Sequence, residues 1–421
     1  MKKLLAALLC LSMLLMGFAF AEETAAEPEP DPAYVDGKIL TKVLDEGQII
    51  CGLRLEFDKE WAGGKLTTSS FTVRGFDVIG LYLNNTGVPG QAEYTGKYVF
   101  VLFDDPSGIG TMNNGTLQYT GGQNLLREQY LNLIFAGETY AVTGYVNIEV
   151  DEFLADVETD ADGYATPYRL YVPEGWEDAS LPLVIWMHGA GERGDNNLAQ
   201  IAANRGALNY VTARCQNEHP CFVLAPQAQA GSNGGWNDPA VANIGNIVKK
   251  LIAEYNIDAS RIYVTGCSMG GGGTKKMMQT YPDMVAAAVV IANSSFLTEP
   301  EQLELVKDIP CITICGAADG GGGADASMVA NFELVTGLGY KGVAFLAENG
   351  RNGYLRGAEA AADLQPVIDA MTAEGAIWAW VDYFADTVVP SAHWSWMAAS
   401  ENETLQAWMF AQVKAEPYQP E

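Results

Sequence analysis

The chain predicts two folds in series, a small antiparallel β-sandwich followed by a larger α/β domain whose mostly parallel sheet carries helices on both faces. Three observations carry this expectation. The length of 421 residues exceeds what a single core organises. Residues 36–150 run as short β-rich stretches broken by turn residues. From about residue 164, continuous apolar strands alternate with helical stretches, the pattern of strands buried on both faces.

Taken in order, residues 1–21 (MKKLLAALLCLSMLLMGFAFA) join two lysines to an apolar run that ends on Ala19-Phe20-Ala21. Small residues at Ala19 and Ala21 suit signal peptidase, so a signal peptide and a secreted chain starting at Glu22 are expected. Residues 22–35 are acidic and proline-rich and read as a disordered lead-in. Residues 36–150 hold seven strand-like runs: KILTKVL, GLRLEF, FTVRGF, GLYLNN, YVFVLF, YLNLIF and AVTGYVNIEV. Turn stretches such as NNTGVPG, DDPSG and TGG separate them. Residues 151–163 form an acidic joint, expected as a solvated linker. Its run Glu158, Asp160, Asp162, Gly163 faintly echoes a calcium loop, but the twelfth position is Arg169 rather than glutamate. Residues 164–421 are the α/β domain. LPLVIWMHG, CFVLAPQ, RIYVTG, AAAVVIANS, PCITICGAAD and AIWAWVDYF are its strands, with helices in VANIGNIVKKLIAEYN, GTKKMMQTYP and ETLQAWMFAQVKAE.

Composition narrows the function classes. A formal net charge of −28 repels nucleic acid and anionic membranes, so neither is an expected partner. Of seven cysteines, Cys215 and Cys221 flank a short loop and could close a ring, whereas Cys311 and Cys315 sit on an apolar strand as buried thiols. No CxxC pair or Cys/His cluster of zinc spacing exists, and no metal or organic cofactor is called for.

The chemistry centres on RIYVTGCSMGGGGT, residues 261–274, where Gly266-Cys267-Ser268-Met269-Gly270 matches G-x-S-x-G. The motif alone is weak, but here a strand precedes it and a helical run follows, the setting it requires. The tight turn needs small residues at Gly266 and Gly270 and presents its central residue, Ser268. Cys267 is expected to point into packing. A serine hydroxyl needs a general base, and of His188, His219 and His393 only His393 follows Ser268 in the chain order of such sites. The acid that orients the imidazole belongs just past a strand between them. Asp319 fits best, with Asp325 and Glu348 as alternatives. Backbone donors for an oxyanion are expected at Met269, beside the nucleophile, and at Ala190 or Gly191 in WMHGAGERG. His188 then shapes that loop.

The segments PYRLYVPEG, HGAGERGDNN, FVLAPQ, IDASRIYVTGCSMGG and HWSWMAASENETLQAWMF, in this order, resemble secreted α/β-hydrolase esterases related to the feruloyl-esterase, polyester-depolymerase and prolyl-oligopeptidase groups. Some of these carry an immunoglobulin-like N-terminal domain, which residues 36–150 resemble. The resemblance implies an α/β-hydrolase fold with Ser268, Asp319 and His393 as the triad, Met269 and Ala190 at the oxyanion hole, and Trp236 near the cleft, beside the acyl group or packing the loop. Two departures stand out: GGGG follows Asp319 where relatives have a bulky stretch, and an apparent insertion lies around 345–375. The expected activity is that of a serine carboxylesterase on short acyl or hydroxycinnamoyl esters, small or borne on polysaccharide. A prolyl-oligopeptidase-like peptidase and a binding protein with a degenerate hydrolase domain are the alternatives.

Overall fold

The computed structural model describes residues 30–104, 115–231, 234–294, 299–321 and 323–420. The expected signal peptide and residues 22–29 of the lead-in lie outside these. The N-terminal part is built from β1 (Tyr34–Leu44), β2 (Gly47–Ala62), β3 (Phe71–Val73), β4 (Val78–Asn84), β5 (Thr95–Phe103), β6 (Leu117–Thr120), β7 (Gln123–Leu126), β8 (Leu131–Phe135), β9 (Glu138–Val142) and β10 (Tyr145–Asn147). A five-stranded sheet, ordered β10-β1-β2-β5-β4, faces a three-stranded sheet, β3-β8-β9. Strict alternation builds the core between them: in β8, Leu131, Leu133 and Phe135 are buried while Asn132 and Ile134 are exposed. Phe71 and Phe135 stack at 5.2 Å, and Leu53, Leu55 and Val101 of the larger sheet join the same cluster. β6 and β7 belong to neither sheet. They pair as an isolated hairpin, Leu117↔Leu126 to Thr120↔Gln123, turning at Gly121-Gly122.

Residues 151–163 are not a linker, which corrects the expectation. β11 (Leu154–Thr159) pairs antiparallel with β12 (Ala165–Tyr171), from Leu154↔Leu170 to Thr159↔Ala165. It is the outermost strand of the large sheet and is almost wholly exposed. Edge strands carry charge to avoid pairing with other chains, so their composition imitates a linker. Asp160 spends its carboxylate on the turn, accepting from the amides of Asp162 and Tyr164. Among the described residues no cluster of metal-ligating side chains forms.

The large sheet continues through β13 (Leu181–Met187), β14 (Phe222–Pro226), β15 (Ile257–Cys267), β16 (Val285–Ile291), β17 (Cys311–Gly316), β18 (Gly342–Phe345) and β19 (Trp378–Tyr383), in the order β11-β12-β14-β13-β15-β16-β17-β19-β18. From β14 to β18 neighbouring strands run parallel. β13, β16 and β17 are buried at every residue, as strands covered on both faces must be. Helices Asp238–Glu254, Met269–Thr280, Pro300–Val306, Gly323–Gly337, Gly357–Glu374 and Glu403–Phe410 supply the cover. The apparent insertion around 345–375 contributes the long helix Gly357–Glu374. Such an architecture places loops after successive parallel strands side by side along one edge of the sheet.

The two parts share a core. Val43, Leu117, Val150 and Phe153 lie in one buried cluster with Trp186, Ile201 and Leu208 of the α/β part. Each buried side chain of this kind contributes on the order of 1.5–3 kcal/mol relative to exposure. Arg205 adds a two-pronged ion pair to Glu149, at 2.8 and 2.9 Å, and donates to the Val43 carbonyl at 2.8 Å.

Candidate active site

Ser268 follows β15 directly and caps the helix Met269–Thr280, with φ 58° and ψ −118°. A non-glycine residue in this region is strained and persists only where its surroundings hold it. They do so here. The Ser268 amide donates to the Ile291 carbonyl at 2.9 Å, and its carbonyl accepts from Asn293 Nδ2 at 2.9 Å. The turn leaves no room for side chains on either side: a Cβ on Gly266 or Gly270 would meet the Met187 carbonyl oxygen at 2.3 or 1.9 Å. Cys267 points inward and is buried, and burial pushes its thiol pKa well up. Of the adjacent Cys267 and Ser268, only Ser268 reaches the cleft.

His393 comes from the loop after β19, in the short turn Ala392–Trp394. Its Nε2 lies 2.8 Å from Ser268 Oγ and its Nδ1 lies 2.8 Å from Asp319 Oδ2. Asp319 follows β17 in the turn Asp319–Gly321. Three parallel strands of one sheet, β15, β17 and β19, thus deliver serine, acid and imidazole to one line of hydrogen bonds. With Nδ1–H donating to the carboxylate, Nε2 is the acceptor that the hydroxyl requires. Close approach of the loops depends on Gly316, where a Cβ would lie 2.2 Å from the Ala392 carbonyl oxygen. The alternative acid Glu348 lies in the turn after β18, and the Asp325 side chain lies outside the described residues.

The loop after β13 faces the nucleophile. His188 is fully buried, Nδ1 bonding the Gly189 carbonyl at 2.6 Å and Nε2 accepting from the Ala228 amide at 2.9 Å. That pattern fixes a neutral imidazole, and burial lowers its pKa to about 4. It organises the loop and carries no proton to the cleft. Trp236 is 7% exposed; its indole N–H is spent on the His188 carbonyl at 3.1 Å and its ring packs on the imidazole. Trp236 therefore buttresses the loop from behind instead of forming the open substrate wall.

Three further carbonyls of this loop are tied back. Ala190 O accepts from Arg193 Nε at 2.8 Å, Glu192 O from Gln227 Nε2 at 2.9 Å, and Arg193 O from Gln123 Nε2 at 3.0 Å. Glu192 is buried, which raises its pKa to about 7. With these carbonyls tied back, the loop's backbone N–H groups, including that of Ala190, can face a substrate oxygen.

Residues 166–309 match the family described as esterase PHB depolymerase, and residues 36–154 match the esterase Ig-like N-terminal domain. The chain thus carries a region matching the Ig-like family, followed by one matching the esterase family. Over 138 residues the chain is 33% identical to poly(3-hydroxyalkanoate) depolymerase C of Paucimonas lemoignei, covering 30% of this chain and 31% of that protein. Over 132 residues it is 33% identical to acetylxylan esterase A of Aspergillus awamori, covering 30% of this chain and 41% of that one. The matched stretch spans less than half the length of these curated relatives. Both domains together resemble a solved thermostable esterase at 27% identity and a TM-score of 0.68, over 90% of this chain and all of that one.

Sequence reasoning missed several side chains that support this candidate site. Lys275, on the helix behind Ser268, donates to Asn293 Oδ1 at 2.6 Å, and Asn293 in turn holds the Ser268 carbonyl. Burial draws this lysine down to about 8. A lysine two residues past a glycine run looks like solvent-facing helix in a linear sequence. Trp396 meets the His393 ring edge-on at 5.5 Å; the repeated tryptophans of HWSW were the available signal.

Proposed function

We propose that this protein is an exported serine carboxylesterase that cleaves short acyl or hydroxycinnamoyl esters, including esters borne on a polymer. The observation that carries this reading is the unbroken line Ser268 Oγ, His393 Nε2, His393 Nδ1, Asp319 Oδ2, with both contacts at 2.8 Å. In the reaction, Ser268 Oγ attacks the ester carbonyl as its proton passes to His393 Nε2. Asp319 holds the imidazole in place and stabilises the imidazolium. The Met269 and Ala190 amides take the charge that develops on the carbonyl oxygen. His393 then protonates the departing alkoxide, leaving an acyl-Ser268. Water, deprotonated by the same imidazole, releases the carboxylic acid and restores the serine.

Similarity to acetylxylan esterases and to a polyhydroxyalkanoate depolymerase supports esters carried on an extended chain. The leader-like residues 1–21 and the acidic composition support export. Among the described residues no helix is long and apolar enough to cross a membrane. A matched panel of p-nitrophenyl esters, methyl ferulate, acetylated xylan and a proline-containing peptide amide tests the reading. The expected kcat/KM on esters exceeds that on the amide by at least about 10³. Equal or faster amide cleavage would overturn it.

A further inference from the structure

The hairpin β6–β7 contributes to neither sheet of the Ig-like domain, yet it reaches the loop that faces Ser268. Asn124 Nδ2 donates to Glu192 Oε1 at 3.0 Å, and Gln123 Nε2 donates to the Arg193 carbonyl at 3.0 Å. A Cβ placed on Gly191 would lie 2.9 Å from Asn124 Nδ2 and 3.3 Å from the Tyr119 ring, so the hairpin is seated directly on the loop backbone. Inside the esterase domain, a Cβ on Gly189 would lie 3.0 Å from the other Glu192 oxygen, Oε2. The carboxyl therefore sits between the backbone just before Ala190 and a side chain of the other domain. A buried carboxyl with one oxygen left unpartnered is costly, so the Asn124 bond fixes where Glu192 rests.

We propose that Asn124, assisted by Gln123, is a positioning residue for the oxyanion loop: the Ig-like domain clamps Gly189–Arg193 through Glu192 and so sets the aim of the Ala190 N–H. This rests on the esterase reading given above. An oxyanion donor acts only when preorganised, and displacement by about 1 Å can cost about 10² in rate. Substrate binding before reaction draws little on that donor, so loss of the clamp falls on kcat and leaves KM nearly unchanged.

The test uses the full chain with p-nitrophenyl acetate and, separately, a trifluoromethyl ketone whose serine adduct places an oxyanion in the same position. Asn124→Ala is expected to lower kcat by roughly 10- to 100-fold with KM within about 3-fold, and to weaken the ketone by a matching factor. Gln123→Ala, a milder change that leaves Glu192 paired, is expected to show the same split at smaller size. Glu149→Gln, which breaks the ion pair with Arg205 elsewhere on the interface, is expected to leave kcat unchanged. Wild-type kcat and ketone affinity in both hairpin variants would overturn the proposal, as would a loss in Glu149→Gln equal to that in Asn124→Ala. If the unaltered protein hydrolyses no ester, the esterase reading falls, while ketone affinity across the same variants still decides the clamp.

Discussion

On one side of the cleft, Ser268 is held by backbone: a strand, a glycine-lined turn and a helix start leave it a single conformation. On the other side, the Gly189–Arg193 loop is held by side chains from distant segments, two of them in a different domain. The first arrangement is local, and its rules are steric. Met187 O lies within 2.3 Å of where a Cβ would sit on Gly266 or Gly270, so the spacing of the two glycines is obligatory. The second is assembled from Gln227, Trp236, Gln123 and Asn124, and no spacing rule links those positions. A reactive group can thus be specified by fourteen consecutive residues, while its electrostatic partner depends on the whole molecule.

Substitutions can break or sharpen this contrast. The largest effect is expected on the local side: Ser268→Ala should abolish nearly all ester hydrolysis, a loss on the order of 10⁶ in kcat, read from initial rates with p-nitrophenyl acetate. Asp319→Asn should follow, at about 10⁴, because the imidazole loses the partner that fixes its tautomer. Asp325→Asn should leave the rate within about 3-fold. A large loss at Asp325 with an unaffected Asp319 variant would move the acid. The hairpin variants come next in size.

Glu192→Gln sharpens the comparison through stability. Burial raises this carboxyl from the ordinary 4.5 to about 7, so the folded state favours its neutral form. Its contribution is complete below about pH 4.5 and is lost as pH rises towards 7. The Tm of the unaltered protein should therefore fall relative to Glu192→Gln between pH 4.5 and 7, then run parallel above. A Tm difference that is flat with pH would refute the buried, neutral-favouring environment. The smallest effect is expected at Cys267→Ala, which removes a packed sulfur and should cost stability of about 1–2 kcal/mol with kcat nearly intact.

The same contrast explains what could be read from the sequence. The apolar runs after residue 164 showed six of the strands because strands buried on both faces carry no polar interruptions. Ser268 and His393 were legible because the elbow and the chain order leave one serine and one histidine. Asp319 was legible only as the best of three, since strand ends do not rank acids by distance. The edge strand β11 was hidden because charge on an edge looks like charge in a linker. The hairpin was hidden for a related reason: its strands are only four residues each, and Leu117 is the one buried side chain among them. Trp236 stayed open between two roles because an indole near a cleft and an indole behind it look alike until its N–H has a partner. Contacts made across a domain boundary have no sequence period to betray them.

The central claim is that Ser268, and not its neighbour Cys267, forms the covalent intermediate. Peptide mapping by mass spectrometry after rapid acid quench, during turnover of a slowly deacylating aryl ester, tests it most directly. The account predicts one acyl group, on the peptide carrying Ser268, absent from Ser268→Ala and retained in Cys267→Ala. An acyl group that persists in Ser268→Ala and disappears in Cys267→Ala would contradict it.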